Sequence, residues 1–400
     1  MAVIVQKYGG SSVGNIDKIK MVADTVIKRK LAGDSIVVVV SAMGDTTDDL
    51  IDMANKITDN PDKRELDALL STGEMISSAL LAMAIKSLGH DAVSYTAYQI
   101  GIKTTGQYGK SLIESIDGKN IKKSLSEGKI VIVAGFQGIN HEGNITTLGR
   151  GGSDTTAVAI AVNLHGVCEI YTDVDGIYSV DPRKYKEAKK LEQIDYEEML
   201  ELSSLGAQVM HSRSIELAQK YNIPIYVGLS NSDTKGTVIR GVDNMNMEGK
   251  PVTGLATSDE DVAITIKDIP NNINTLSNLF ESVASKRINI DMISQTAPIN
   301  NKVNLSFTIP KIDLNEGLQI VKKYCKDTEQ IAIDEDITKF SIVGIGMKTT
   351  SGVAARMFKL FSENEIQVKM VTTSEIRITC AIKQEDKLKA INIVANEFNL

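Results

Sequence analysis

Lys7 closes an apolar run and is followed at once by Tyr8-Gly9-Gly10-Ser11-Ser12-Val13-Gly14. Glycines let backbone N–H groups approach phosphate oxygens, and a neighbouring ammonium supplies the counter-charge. The run is not a Walker loop. Gly9 and Gly14 have the right separation, but Asn15 stands where the lysine must be. A tight turn after a strand explains the same glycines without any ligand. A second cluster, Gly149-Arg150-Gly151-Gly152-Ser153-Asp154-Thr155-Thr156, sets an arginine where its fork can reach a carboxylate. Asp154 fills the last glycine position of a dinucleotide fingerprint and so excludes that motif. Its plainer role is that of a helix-start residue. A third segment runs Tyr171-Thr172-Asp173-Val174-Asp175-Gly176-Ile177-Tyr178-Ser179-Val180-Asp181-Pro182-Arg183. Gly176 is fourth from Asp173, whereas an EF-hand needs its glycine sixth, so calcium is rejected. What remains is a solvated acidic loop or a nucleotide loop with Arg183 on phosphate. Ser41-Ala42-Met43-Gly44-Asp45-Thr46-Thr47-Asp48 offers hydroxyls to a small polar ligand, or simply caps the next helix. Glu74, in Ser71-Thr72-Gly73-Glu74, lies within an apolar helical stretch and needs a cation, from a ligand ammonium or from an ordinary Lys or Arg.

Covalent catalysis has no candidate. The four histidines (His90, His141, His165, His211) and three cysteines (Cys168, Cys325, Cys380) form no nucleophile–base set and show no zinc spacing. The inventory is lysine, arginine, glycine loops and carboxylates. That inventory suits phosphoryl transfer, where catalysis is mostly positioning and charge neutralisation. The 400 residues carry 44 basic and 51 acidic side chains, net −7, which argues against a nucleic-acid or anionic-membrane surface. Scattered thiols in odd number fit a reducing cytoplasm. The apolar runs Ile36–Val40 and Ile130–Ala134 are strand-sized, so no bilayer span is expected. With 4% aromatics and no Trp, the core must be built from Ile, Val, Leu, Ala and Met.

The elements that must position these residues alternate. Val3–Gln6, Ser35–Val40, Ala92–Tyr95, Ile130–Phe136, Glu169–Thr172 and Ile225–Val227 read as strands. Helical patterns lie near Ile16–Lys30, Asp48–Lys56, Lys63–Leu88, Gly118–Glu127, Ser153–Leu164 and Ser212–Tyr221. Apolar strands alternating with helices predict an α/β fold with a mostly parallel sheet covered on both faces, its ligand loops at the carboxyl edge. Residues 231–251 are polar and rich in turn formers, and read as a linker after a 1–230 domain. Beyond it the chain repeats itself at an offset of 78: Phe280 with Phe358, Ile288 with Ile366, Ile290 with Val368, Met292 with Met370. Two small β-α-β-β-α-β modules, 258–337 and 338–400, follow from that repeat. The second has no chain left for a last strand after Glu385–Phe398, and the spare strand 252–257 is the candidate to complete it.

Taken in order, Lys-Tyr-Gly-Gly-Ser-Ser-Val, Ser-Ala-Met-Gly-Asp-Thr-Thr-Asp, Thr-Gly-Glu, Gly-Arg-Gly-Gly-Ser-Asp-Thr-Thr and Tyr-Thr-Asp-Val-Asp-Gly-Ile-Tyr-Ser-Val-Asp-Pro-Arg closely resemble the aspartokinase family. Thr372–Ile378 resembles that family's second ACT domain. The resemblance spans essentially the whole chain. It implies a three-layer α/β/α amino-acid-kinase sandwich followed by two ferredoxin-like βαββαβ ACT domains. By it, Lys7 contacts the transferring phosphate, framed by Gly9, Gly10 and Ser11. Asp154 orients that lysine or the metal–nucleotide. Arg150, with Gly151, Gly152 and Ser153, binds the α-carboxylate of L-aspartate, and Glu74 its ammonium. Ser41, Thr46 and Thr47 hold the side-chain carboxylate. Thr172, Asp173, Tyr178, Asp181 and Arg183 surround ATP, and Mg2+ rides on the ATP phosphates rather than in a protein cage.

The resemblance also implies feedback control by lysine and/or threonine, with Asn289, Ile290, Asp291 and Gln295 matching the family's effector pattern. Val353, Gln367, Val368 and Ser374 match it in the second module. A homodimer or higher oligomer through the ACT domains is the further implication. Two positions depart from the pattern: Gln208 stands where the family commonly has a lysine, and Pro270-Asn271-Asn272-Ile273-Asn274 replaces a Pro-Asp-Lys-Pro-Gly turn. Two alternatives stay open at this point: another amino-acid kinase, for acetylglutamate or glutamate, and a non-catalytic amino-acid sensor.

Overall fold

The computed structural model describes residues 3–206, 209–241, 250–325 and 327–400. The chain divides into two units. Unit 1 holds residues 1–177, 190–203 and 208–245, and unit 2 holds 178–189, 204–207 and 246–400.

Among the described residues unit 1 is built on twelve strands: β1 (Val3–Tyr8), β2 (Ser35–Val40), β3 (Ala92–Tyr95), β4 (Ile102–Thr105), β5 (Leu112–Ile116), β6 (Ile130–Ala134), β7 (Gln137–Ile139), β8 (Ile145–Thr147), β9 (Val167–Thr172), β10 (Gln193–Ile194), β11 (Ile225–Leu229) and β12 (Thr237–Ile239). Eight of them form one sheet in the order β10-β12-β11-β9-β1-β2-β6-β3. All neighbours from β11 to β3 are parallel, and only β12 meets β11 antiparallel. The continuous apolar runs match this arrangement: β6 and all but the first residue of β2 are buried, as a sheet covered on two faces requires. Helices Ile16–Leu31 and Thr72–Ser87 cover one face through Val22, Val26, Leu81 and Ile85. On helix Gly152–Leu164 every residue from Gly152 to Ala161 is buried, so its sequence shows no polar stripe.

The structure differs from the sequence reading in three places. The Lys63–Leu88 helix breaks at Ser71 into Lys63–Leu70 and Thr72–Ser87. The break frees the Ser71 carbonyl, which accepts from Gln137 Nε2 at 3.1 Å. By length and composition Lys63–Ser87 has the apolarity of a membrane span, but half of its most apolar window is buried inside the protein. Strands β4, β5, β7 and β8 form a separate four-stranded sheet that short, mixed sequences such as Ile-Lys-Thr-Thr did not announce. Residues 231–251 are not all linker, because Thr237–Ile239 is strand β12 of the large sheet, with Thr237 fully buried. Residues 242–249 lie outside the described residues.

Unit 2 contains β13 (Gly254–Ser258), β14 (Asp261–Pro270), β15 (Ile293–Gln295), β16 (Lys302–Pro310), β17 (Ile331–Asp334), β18 (Thr338–Val343), β19 (Val368–Thr373) and β20 (Arg377–Ile382). They make two four-stranded sheets of the same plan, β15-β16-β14-β17 and β19-β20-β18-β13. β13 pairs antiparallel with β18 from Gly254↔Val343 to Ser258↔Lys339, so it occupies in the second sheet the place β17 has in the first. Phe307 anchors one core, and Phe340 with Phe361 the other. The second core also takes in Val180 and Tyr185 from the stretch 178–189, which belongs to this unit. Tyr185 Oη donates to Asn396 Oδ1 at 2.7 Å, Lys189 Nζ to the Asn399 carbonyl at 2.8 Å, and Leu255 N to the Ser179 carbonyl at 2.7 Å.

Candidate active site

The parallel strands end flush. Register pairs Tyr8 with Val40 and with Tyr171, and Val40 with Ala134, so the loops after β1, β2, β6 and β9 leave one edge together. Strand order reverses at β1, with β9 on one side and β2 on the other. This is the switch point at which open α/β sheets bind ligands. Backbone bonds tie the loops: Gly9 N to Tyr171 O (3.2 Å), Ser41 N to Tyr8 O (3.1 Å) and Gly44 N to Gly10 O (3.1 Å).

At this edge Lys7 Nζ meets Asp154 Oδ1 at 2.7 Å, with both side chains largely buried. A methyl on Gly9 would stand 3.5 Å from the Lys7 ammonium, so the cation lies alongside the glycine loop. Asp154 comes from the first turn of helix Gly152–Leu164, whose free N–H groups favour an anion. The N-cap of that helix is Gly151, and no side chain caps it. Arg150 is exposed at the tip of its loop, and Ser153 is buried.

Glu74 is 3% exposed in the first turn of helix Thr72–Ser87. One oxygen accepts from Ala42 N at 3.1 Å, and the other has no hydrogen-bond partner among the described residues. Burial pushes its carboxyl up to about 7. An unpartnered buried carboxylate oxygen is costly, and a ligand ammonium would remove the cost. Gly73 makes the approach possible, because a methyl there would come within 2.8 Å of Ala42 Cβ. Ser77 Oγ adds a bond to the Ser41 carbonyl at 2.7 Å. Thr46 donates to the Met43 carbonyl at 2.6 Å and opens helix Thr46–Ile57, with Thr47 half-buried beside it.

Thr172 and Asp173 lie where β9 ends, Thr172 Oγ1 donating to Asp173 Oδ1 at 3.0 Å. Tyr178, Asp181 and Arg183 sit on the stretch 178–189, which belongs to unit 2. There Arg183 grips Asp181 with Nε and Nη2, both at 3.0 Å. Burial pushes the Asp181 carboxyl up, but the Arg183 bonds outweigh it and hold the group below its usual range. Ser230 was not singled out from the sequence, yet it follows β11 at the same edge and donates its N–H to the Thr172 carbonyl at 2.9 Å. Its signal was positional: it directly follows the strand that neighbours β9. Gln208 lies outside the described residues. Among the described residues no group of three or more His, Cys, Asp or Glu side chains is gathered as for a metal cage.

In unit 2, Gln295 is on β15 and Val368 on β19, each the edge strand of its sheet. Met292 and Met370, 78 residues apart, share one small buried cluster, so the two repeat-related segments meet within the chain. Gln367 and Ser374 are exposed, as are Asn289 and Gln295, while Ile290 packs partly against the first core. Val353 differs in being buried, at 4% exposed, in the second core. Asn272 caps helix Ile273–Ser285 by accepting from Asn274 N at 2.9 Å, so the altered turn serves as a helix start. Asp291 is held by Lys339 Nζ at 2.7 Å, and the same ammonium meets Asp261 at 2.8 Å. Lys339→Met strips a buried cation from two carboxylates and is expected to destabilise unit 2 by about 3 kcal/mol. A urea melt with an unchanged midpoint would contradict this.

A model of the amino acid kinase family matches residues 2–228, and an ACT-domain model matches residues 262–324 and 340–398. An aspartokinase of Bacillus sp. (strain MGA3) is similar to this chain at 46% identity over 404 residues, covering 100% of this chain and 98% of the relative. Aspartokinase 2 of Bacillus subtilis (strain 168) is similar at 44% over 404 residues, with 100% and 98% covered. A solved structure of E. coli aspartokinase III with aspartate and ADP (R-state) shares the fold at TM-score 0.82, with 22% identity over 98% of this chain and 99% of that one.

Proposed function

The chain belongs to the aspartokinase family and is an aspartate kinase, and on that premise we propose how its residues share the work. The β-carboxylate of L-aspartate attacks the γ-phosphorus of ATP in line, giving 4-phospho-L-aspartate and ADP. A carboxylate is already ionised at neutral pH, so no general base is required. The chain's task is to bring two anions together and neutralise the charge on the transferring group.

The observation that carries this reading is the Lys7–Asp154 pair beside Gly9 and Gly10 at the sheet's switch point. Lys7 takes the transferring phosphate, and Asp154 fixes the ammonium. Magnesium would be carried on the ATP phosphates and would supply further neutralisation there. Thr172, Asp173 and the stretch with Tyr178, Asp181 and Arg183 take the rest of the nucleotide. Glu74 receives the substrate ammonium on its unpartnered oxygen, and Arg150 receives the α-carboxylate. Ser41, on the loop after β2, and Thr46 and Thr47, at the start of helix Thr46–Ile57, take the β-carboxylate. An acetylated substrate has no ammonium to offer Glu74.

Lysine and/or threonine are the proposed effectors, at Asn289–Gln295 and Gln367–Ser374, in a homodimer or higher oligomer. Three free cysteines fit a reducing, cytoplasmic setting. The test is an ATP-dependent hydroxamate assay with L-aspartate, L-glutamate and N-acetyl-L-glutamate, each with and without lysine and threonine. Turnover is expected with aspartate alone, lowered by an effector. Arg150→Ala is expected to raise the KM for aspartate at least about thirtyfold, the cost of removing one partner of a charge pair. An unchanged KM would remove Arg150 from the site.

A further inference from the structure

Two charges that the reaction does not use, one buried and one half-buried, grip the same pair of backbone segments in unit 1. Asp67 is 1% exposed, and its Oδ2 accepts from Gly109 N at 2.9 Å and Thr147 N at 2.8 Å. Its Oδ1 accepts from Thr147 Oγ1 at 2.8 Å. Arg213 does the converse. Its Nη2 donates to the Ser111 carbonyl at 2.8 Å and its Nη1 to the Leu148 carbonyl at 2.9 Å. One charge takes the donors and the other the acceptors of residues 109–111 and 147–148. Ser111 N closes the middle by donating to the Thr147 carbonyl at 3.0 Å.

These segments end where Arg150 begins. Gly149 has φ +79°, and a methyl there would stand 2.9 Å from the Gly109 carbonyl oxygen. Gly151 has φ +66°, and a methyl there would fall 2.1 Å from His211 Cβ. The backbone on both sides of Arg150 is therefore pressed against the gripped 109–111 segment and against the start of helix Ser212–Tyr221, which carries Arg213.

The placement of Arg213 is unfavourable on its own terms. It is half-buried, and burial disfavours its charge. It sits in the first turn of its helix, where the backbone dipole repels a cation. No described carboxylate lies within ion-pair distance of it. Structural arginines of this kind are ordinarily matched to a carboxylate. A loop that must present a second arginine to a substrate carboxylate gives the arrangement a purpose. The Ser111 and Leu148 carbonyls are engaged by Arg213 and two amides by Asp67, on the backbone that leads into Arg150. We propose that Asp67 and Arg213 are positioning residues, a polar staple that sets the direction in which Arg150 leaves its loop and thereby the affinity for the amino-acid substrate. The proposal rests on the assignment of Arg150 to the α-carboxylate.

Steady-state kinetics on the full chain separate the possibilities. Arg213→Met is expected to raise the KM for aspartate by roughly tenfold or more, since small misplacements of a substrate clamp are severe. The KM for ATP should stay within about twofold, because the nucleotide loops are not gripped by the staple. Arg213→Lys keeps the charge and one carbonyl bond, and should recover part of the loss. Asp67→Asn should repeat the aspartate-selective effect. In an Arg150→Ala background, Arg213→Met should add little, since a positioning residue has nothing left to position. Equal rises in both KM values, or full additivity with Arg150→Ala, would overturn the proposal and leave a purely structural arginine. Should Arg213→Met not fold, the Arg213→Lys and Asp67→Asn profiles decide alone. If Arg150→Ala itself leaves aspartate binding intact, it is the Arg150 assignment that has failed.

Discussion

Lys7→Ala should lower kcat by roughly 10²–10³-fold or more, the scale seen when one preorganised electrostatic contact to a transition state is removed. The reason lies in what the change leaves behind as well as in what it removes. Lys7 Nζ is 2.7 Å from Asp154, and the two side chains are only 12% and 10% exposed. Without the ammonium, a buried carboxylate faces the incoming phosphates and repels them. Stability should fall with activity, because one partner of a buried pair is left uncompensated. The double variant Lys7→Ala/Asp154→Asn separates the two effects. It should regain much of the lost melting temperature and none of the turnover. If single-turnover rates for Lys7→Ala stay within about threefold of the parent, the lysine has no part in phosphoryl transfer.

The second large effect is one of pH. Burial raises the Glu74 carboxyl to about 7 in the substrate-free protein, with the Ala42 amide bond opposing only in part. The substrate ammonium can pair only with the ionised form. Binding must therefore pull the Glu74 value down and release a proton wherever Glu74 starts neutral. The sign follows. Above about pH 8 the group is already ionised and the KM for aspartate is flat. Below about 7 the KM rises about tenfold per pH unit, because the competent fraction falls by that factor. The substrate carboxylates titrate well below this window and its ammonium stays protonated across the acid side, so neither produces the slope. Glu74→Gln should raise the KM at neutral pH and abolish the slope. A parent profile that is level from about pH 8 to about 6 would show that Glu74 does not meet the ammonium.

Much of this site was legible because its residues act through side chains placed next to unmistakable strand ends. Ile36–Val40 and Ile130–Ala134 could only be strands buried on both faces, and the loops after parallel strands share an edge. Lys7, Ser41 and Thr172 were therefore bound to converge. The buried position of Glu74 was also readable, since an acid within an apolar helix must have a reason. Asp67 and Arg213 gave no such signal. They lie far apart in sequence and act mainly on main-chain groups, which carry no residue identity. The small sheet was hidden for a different reason: its strands are three to five residues long and mix Thr, Lys and Gly with Ile. β12 was concealed by the polar run on either side of it. The seating of the stretch 178–189 was the least legible part of the fold. Its motif is continuous with Thr172 and Asp173 in sequence, but Val180 and Tyr185 send it into another core. Nothing local in Tyr-Ser-Val-Asp-Pro-Arg states which core that is.

That seating of Val180 and Tyr185 has a consequence for how the chain folds. Tyr185 is bonded to a residue 211 positions further on. β13 must likewise wait for β18, while the first small sheet stands between them in sequence and needs no strand from outside β14–β17. Loop closure over such separations is entropically slow, so the first module can form early and the second only late. The stretch with Asp181 and Arg183 then gains its anchor in the final steps of folding. A refolding experiment should accordingly show Phe307 packing protected from exchange before Tyr185 is, with the stretch 178–189 becoming ordered only together with the second core.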